Sequence, residues 1–434
     1  MQNMTYTEAL DYLKAASAKG SVLGLERITE LLKRMGYPQN KTHIIHVSGT
    51  NGKGSFGAMI TSILRSAGYV TGSFSSPAIT EVTDSFRING KEISHEEFAS
   101  LIGNISDICE KMDDKPTEFE ILTAAAYKLF ANKKCDIAVV ECGMGGDLDS
   151  TNVIDFPVLS VITNVQLDHC GFLGNTIAEI AAHKSGIIKK HRPVYFGGNS
   201  TEALEIIRKQ AEKLEAPLYI HDESDISAVR FSMSGMNLCW HDIKMNVQLL
   251  GTYQLDNVVN VLNCIEILRK IGIPINDLAV RKGLAEAKWH GRFEILSHEP
   301  LIIFDGSHNP DGISFAADSI ERYFGINKIA LLIGVMADKE YTLYSDMLGQ
   351  YIDCVFAVKP DNPRALDADI LAETFSKNGI RSQGFASLKD GVQAAYNYAK
   401  NKNIPLIALG SLYMYREFTE ELQQLLKAKP PHKD

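Results

Sequence analysis

Residues 43–69 run from the apolar HIIHVS through GTNGKGS into FGAMITSILRSAGY, whose apolar residues at 56, 59, 60, 63 and 64 mark one helix face. A strand, a glycine loop and a helix in that order form the context a phosphate-binding loop requires. Glycines allow positive φ and close backbone approach, so amides can surround a phosphate at the helix N-terminus. Lys53 is placed to meet β/γ phosphates as a point charge, and Ser55 to offer a hydroxyl to Mg2+. The residue order is unusual, because Gly54 separates Lys53 from Ser55 where the common form ends Gly-Lys-Ser/Thr. The competing reading is a tight strand-to-helix turn that leaves an exposed lysine.

The remaining chain repeats this alternation of short apolar runs and helical spacing, which points to an α/β architecture. CDIAVVECG (135–143) and PVLSVITNV (157–165) read as buried strands that end in polar residues, and 257–272 reads as a helix with apolar positions 258, 261, 262, 265 and 268. Ligands of open α/β sheets gather at strand carboxyl ends, where Glu141 and LDHCG (167–171) lie. A second set of four strand patterns, at 300–310, 328–339, 353–360 and 404–414, predicts a Rossmann-like domain. Its first strand is not followed by GxGxxG, so it is not read as dinucleotide-binding. The expected domains are 1–293, carrying the P-loop, and 294–434. A chain of 434 residues exceeds what one growing core supports.

A net charge of −9 argues against a dedicated nucleic-acid or anionic-membrane binder. Seven scattered cysteines without a CxxC pair suit a reducing compartment better than a disulfide framework. The N-terminus reads as an amphipathic helix and not a signal peptide, and no run reaches membrane-span length. A cytoplasmic protein is expected. The short tail KAKPPHKD is the one biased tract.

Taken singly, the other candidates are ambiguous. Glu141 and His169 could reach a nucleotide-bound metal, although Mg2+ prefers oxygen and a lone histidine is more often a satisfied polar residue. Lys184, in AAHKSGIIKK, reads in isolation as a surface lysine. Asp305, His308 and Asn309 sit in FDGSHNPDG, which also suits an Asx turn. Arg292, in WHGRFE, could clamp phosphates or make an ordinary linker ion pair.

Taken together, these segments resemble the Mur ligase superfamily and, within it, the folylpolyglutamate synthase/dihydrofolate synthase group. HVSGTNGKGS, FSSP, ECGMGG-LD-TN, LDH with GNT--EIA--K-GIIK, QL-N, GRFE, DGSHNPDG and GVM-DK occur in the family's order between about residues 20 and 415. The resemblance implies a P-loop ATPase domain followed by a Rossmann-like glutamate-ligase domain. It also implies an ATP-dependent reaction: a pteroate or folate carboxyl is phosphorylated, and the amino group of L-glutamate attacks the acyl phosphate. Gly49, Thr50, Asn51, Gly52, Lys53, Gly54 and Ser55 match nucleotide-binding positions, as do Asn257, Arg292 and Asp305. Ser55, Ser76, Glu141 and His169 match metal-binding positions. Lys184 matches a lysine that is carbamylated in the family, and His308 a residue near the incoming glutamate, so Lys53, Lys184 and His308 are the expected catalytic set. Thr117, Glu118, Phe119 and Glu120, with Leu148, Asp149 and Ser150, match segments that touch the pterin-bearing substrate. ATP, Mg2+ and K+ are the implied cofactors, and a monomer without nucleic-acid or membrane partners is implied.

The chain departs from the family pattern around the acceptor. Ala78 stands where a histidine is usual, Asp84 and Ser85 where Glu-Arg is usual, and Asp147 where an arginine is usual. Ala78 and Asp147 motivate a second reading, the same ligase chemistry on another carboxylic acid. A third reading is a non-catalytic nucleotide-binding relative.

Overall fold

The computed structural model describes residues 4–18, 20 and 22–427, so most of the KAKPPHKD tail lies outside the described residues. The chain divides into two compact units. The first comprises Met1–Ala228, Leu238–Asn246 and Leu255–Ala287, and the second Val229–Asn237, Val247–Gln254 and Lys288–Asp434.

The first unit is built on eight strands: β1 (His43–Ser48), β2 (Thr71–Phe74), β3 (Phe86–Ile88), β4 (Lys91–Glu92), β5 (Ile137–Glu141), β6 (Leu159–Ile162), β7 (Val194–Phe196) and β8 (Leu218–Ile220). They are ordered β4-β3-β2-β5-β1-β6-β7-β8. β2, β5, β1, β6, β7 and β8 pair in parallel, and the β3–β4 hairpin extends one edge antiparallel. Every residue of β5 and β6 is buried, as both-face coverage by helices demands of a parallel sheet. Helices Tyr6–Ser17, Glu26–Arg34, His95–Cys109 and Glu118–Asn132 contribute Leu13, Leu31, Phe98 and Tyr127 to one core. The helix after the glycine loop, Lys53–Ser66, packs on Asp277–Glu286. The approach is close: a Cβ on Gly283 would stand 2.4 Å from the Ile63 Cα.

In register, Val47 of β1 pairs with Glu141 of β5, and Ser48 with Ile162 of β6. The three central strands therefore end side by side, and the segments that leave them are gathered at one sheet edge.

Residues 226–247 form a three-stranded sheet of β9 (Ile226–Ser232), β10 (Gly235–Trp240) and β11 (Ile243–Val247), which the sequence pattern does not announce. The second unit holds β12 (Glu294–His298), β13 (Leu301–Phe304), β14 (Ile329–Ile333), β15 (Ile352–Ala357), β16 (Ser382–Gly384) and β17 (Leu406–Leu409), ordered β12-β13-β17-β14-β15-β16. This corrects the expected four strands to six. β12 is an antiparallel edge strand of half-buried residues, and β16 is the three-residue SQG, so neither presents the apolar run by which central strands are recognised.

Candidate active site

The glycine loop takes its shape from braces on its neighbours. Gly49 (φ +146°) and Gly52 (φ +84°) adopt backbone conformations that side chains disfavour, and neither has room for a Cβ. At Gly49 a Cβ would lie 1.9 Å from Thr163 Oγ1, and at Gly52 2.3 Å from Asn257 Oδ1. Thr163, Asn164 and Gln166, which follow β6, hold the loop from the side. Asn164 Oδ1 accepts from the amides of Thr50 (3.1 Å) and Asn51 (2.8 Å), and Thr163 Oγ1 donates to the Asn51 carbonyl (2.7 Å). Asn51 Nδ2 donates to Gln166 Oε1 (2.7 Å), and Thr50 Oγ1 to the Gln166 carbonyl (3.1 Å). Thr50 and Asn51, expected to bind nucleotide, thus spend their amides and side chains on loop shape. The three bracing residues were missed from the sequence, although the polar run TNVQ after a buried strand was visible.

The helix begins at Lys53, so Lys53, Gly54 and Ser55 occupy its first turn, where amides that point along the axis and the helix dipole favour an anion. Lys53 Nζ donates to the carbonyls of Gly49 (3.0 Å) and Thr50 (3.2 Å) and stands 3.9 Å from Glu141 Oε1. Ser55 and Glu141 are both buried.

Beside this loop lies a cavity whose wall includes Gly49, Lys53, Cys142, Asp168, His169 and Lys184. The structure therefore brings together residues separated by more than a hundred positions. Lys184, in the last turn of helix Ile177–Ser185, is 3% exposed, and among the described residues its side chain makes no hydrogen bond. Burial first, and then the neighbouring Lys53, depress its pKa to about 7. The lone surface lysine of the isolated reading is thus a buried amine whose charged form the interior disfavours. His169 is an exposed N-cap with φ +51°, and its amide donates to Asp168 Oδ1. Ser76, in the turn after β2, is not part of this cavity wall, and Asn257 stands against Gly52.

Among the described residues no group of three or more His, Cys, Asp or Glu side chains forms a closed metal cage. The hard oxygens of Ser55 and Glu141 beside a phosphate-shaped loop fit Mg2+ nonetheless, because that ion commonly takes one or two protein oxygens plus phosphates and water.

The acceptor segments divide into braces and exposed faces. Glu120 Oε2 accepts from the Thr117 amide (2.7 Å) and hydroxyl (2.9 Å) and from Arg27 Nε (3.0 Å), forming a buried capping box. Asp149, wholly buried, accepts from the amides of Met144 (2.9 Å) and Thr151 (2.9 Å) and from the Thr151 hydroxyl (2.5 Å). Through these atoms Thr117, Glu120 and Asp149 brace their own segments, while Glu120 Oε1 has no hydrogen-bond partner among the described residues. Ser150 is buried at 9% exposure. Glu118, half-buried with its carboxyl pKa raised by burial, Phe119 and the exposed Leu148 remain as surfaces that a ligand could meet. The Phe119 ring lies against Gly143, where a Cβ would approach within 2.8 Å.

Both acidic departures are engaged internally. Each Asp147 carboxylate oxygen lies 3.0 Å from His183 Nδ1, so the expected charge reversal is paired. Asp84 accepts from the amides of Ile79, Thr80 and Glu81 and from the Thr80 hydroxyl, which fixes the loop containing Ala78.

The second unit carries Arg292, Asp305 and His308. Asp305 is completely buried at the end of β13. Its Oδ2 accepts from Tyr253 OH (2.6 Å) and the Phe293 amide (2.9 Å), and its Oδ1 from the Ser307 amide (2.7 Å). These three hydrogen bonds to the carboxylate fix the shape of the loop that follows β13. His308 Nδ1 lies 2.8 Å from the Gly306 carbonyl. Because a carbonyl only accepts, Nδ1 carries the proton and Nε2 is the ring's acceptor nitrogen.

Comparison with known proteins follows the same division. Residues 47–265 match the Mur ligase middle domain, and residues 291–411 the Mur ligase glutamate ligase domain. A dihydrofolate synthase/folylpolyglutamate synthase of Bacillus subtilis is 34% identical, covering 96% of this chain and 99% of its own. A folylpolyglutamate synthase of Lacticaseibacillus casei is 33% identical, with 95% and 97% coverage. Escherichia coli FolC, solved with DHPP and ADP, superposes with a TM-score of 0.84 at 26% identity, covering 97% of this chain and 98% of that one. Mycobacterium tuberculosis folylpolyglutamate synthase, solved with ADP and AMPPCP, gives 0.85 at 26% identity, with 98% and 100% coverage.

Proposed function

We propose a division of catalytic labour from the premise that this chain belongs to the Mur ligase family, in its folylpolyglutamate synthase/dihydrofolate synthase group. The protein is an ATP-dependent ligase that joins L-glutamate to a dihydropteroate or folate carboxyl. The unit that carries the glycine loop performs the phosphoryl transfer, and the unit that carries Arg292, Asp305 and His308 presents groups for amide formation.

The observation that carries this reading is the convergence of Lys53, His169 and Lys184 on one cavity beside the glycine loop. Lys53 and the first-turn amides, Gly54 included, neutralise the phosphates, and Asn257 keeps Gly52 close. Ser55 and Glu141 would hold Mg2+, with Ser76 and His169 completing the family's metal positions. Bound there, the ion would act as a Lewis acid that offsets charge on the transferred phosphoryl group. An acceptor carboxylate oxygen attacks the γ-phosphorus, ADP leaves, and the acyl phosphate remains. The glutamate amine then attacks the acyl carbon and inorganic phosphate departs. That amine must shed a proton to become nucleophilic. His308 Nε2, fixed as acceptor by the Nδ1–Gly306 bond, is suited to take it.

A pKa of about 7 leaves a large share of Lys184 as free amine at neutral pH. That amine forms an N–C bond with CO2 and releases a proton, giving a carbamate whose negative charge suits the neighbouring Lys53. K+ belongs to this reading on resemblance alone, and no step is derived through it. Because Asp147 is hydrogen-bonded to His183, it offers no support for a different acceptor class, and the loop that carries Ala78 is fixed by Asp84. Seven free cysteines suit a reducing cytoplasm, and we read the enzyme as a monomer.

The test is phosphate release from ATP with L-glutamate and Mg2+, with dihydropteroate and tetrahydrofolate supplied separately. Release accompanied by a product one glutamyl residue heavier is expected. ATP binding without a product from either acceptor would refute the assignment of substrate.

A further inference from the structure

Tyr253 is absent from every motif considered above, yet its hydroxyl reaches the most enclosed carboxylate of the second unit. Asp305 accepts three hydrogen bonds, each from a different stretch of chain: Tyr253 OH at 2.6 Å, the Phe293 amide at 2.9 Å and the Ser307 amide at 2.7 Å. Two of those stretches carry candidate functional groups. Phe293 follows Arg292, and Ser307 precedes His308.

The Phe293 backbone is strained, with φ +44°, a region that a bulky residue avoids unless its surroundings hold it there. Two restraints hold it: the amide is bound to Asp305, and the ring, fully buried, stacks on Tyr323 at 5.4 Å. The strain turns the chain so that Gly306 donates its amide to the Gly291 carbonyl at 2.8 Å. The Arg292 guanidinium comes to lie against Gly306, where a Cβ would stand 2.9 Å from Nη1. The same Gly306 offers its carbonyl to His308 Nδ1. Arg292 and His308 are thus referenced to one residue, Gly306, and its loop is pinned through Asp305.

We infer that Tyr253 is a positioning residue for the ligase reaction: by donating to Asp305, it fixes the conformation in which Arg292 is presented to the nucleotide. The inference rests on the proposed nucleotide contact of Arg292. Burial, and then the Asp305 carboxylate, push the Tyr253 phenol well above its ordinary range, so the hydroxyl stays a donor at any working pH. Nearby, Thr252 bonds Ser319 Oγ through its amide (2.9 Å) and its hydroxyl (3.1 Å) and has no part in the Asp305 cluster. It provides the comparison a purely structural explanation requires.

The experiment measures ADP affinity by calorimetry, steady-state constants for ATP and for the pteroate acceptor, and thermal stability. It uses the intact enzyme and its Tyr253→Phe, Thr252→Ala and Arg292→Ala variants. Tyr253→Phe keeps the ring that packs 6.3 Å from Phe315. Removing a hydrogen bond to a charged group is expected to weaken ADP binding about tenfold and raise KM for ATP equally, with KM for the acceptor unchanged. Thr252→Ala is expected to lower stability without changing ADP affinity. If Tyr253→Phe binds ADP like the parent while Arg292→Ala does not, the positioning role is refuted and the Arg292 assignment stands. If Arg292→Ala also binds ADP normally, both fall.

Discussion

Lys184→Met isolates the cost of burying Lys184. The lysine is 3% exposed, makes no hydrogen bond among the described residues, and has its pKa depressed from 10.5 to about 7. At about 1.36 kcal/mol per pK unit, that depression corresponds to roughly 5 kcal/mol of unfavourable charge burial. Relaxation around the charge leaves about 2–5 kcal/mol for the methionine variant to recover, since methionine fills similar space without a charge. The folded pKa lies below the unfolded one. Between pH 7 and 10.5 the unfolded chain therefore holds a proton that the folded chain has lost, and parent stability rises with pH across that window. The advantage of the variant should be largest at and below pH 7 and vanish above about pH 10.5. Urea unfolding, monitored for parent and variant in bicarbonate-free, Mg2+-free buffer at pH 6.5, 8 and 9.5, reads this directly. Ligase activity should be lost throughout. A variant less stable than the parent at pH 6.5, or an advantage that grows with pH, would refute the argument.

Other expectations concern the loop and its braces. Lys53→Ala should reduce ATP turnover by two orders of magnitude or more while the fold stays intact, with a stability loss of only about 1 kcal/mol from the bonds to the Gly49 and Thr50 carbonyls. Full phosphate release from that variant would remove the glycine loop from the mechanism. Gly52→Ala places a Cβ 2.3 Å from Asn257 Oδ1 at φ +84°, so ADP affinity should fall at least about tenfold, measured by calorimetry. Asp84→Ala removes the acceptor for three amides and a hydroxyl and should cost about 2–3 kcal/mol in urea unfolding. Its effect on activity should appear in the acceptor's KM, with little change in that of ATP.

The sequence by itself determined the α/β class, the phosphate loop and the order of the functional segments. Each depends on local chemistry: glycines where φ must be positive, apolar runs where a strand is buried on both sides, and hydroxyls and lysine at a helix start. The six-stranded sheet of the second unit was legible only in part, because an edge strand such as β12 and a polar triplet such as β16 lack that local signature. Tertiary structure alone decided what each polar side chain does. TEFE has the T-x-x-E spacing of a capping box, but nothing in it shows that Arg27 also reaches Glu120 or that Phe119 faces Gly143, and nothing in GGDLD shows that Asp147 meets His183. Likewise, Lys184 acquires its low pKa only when folding removes water and places Lys53 beside it. A side chain's charge state and bonding partner depend on its neighbours in space, and those neighbours come from distant stretches of the chain.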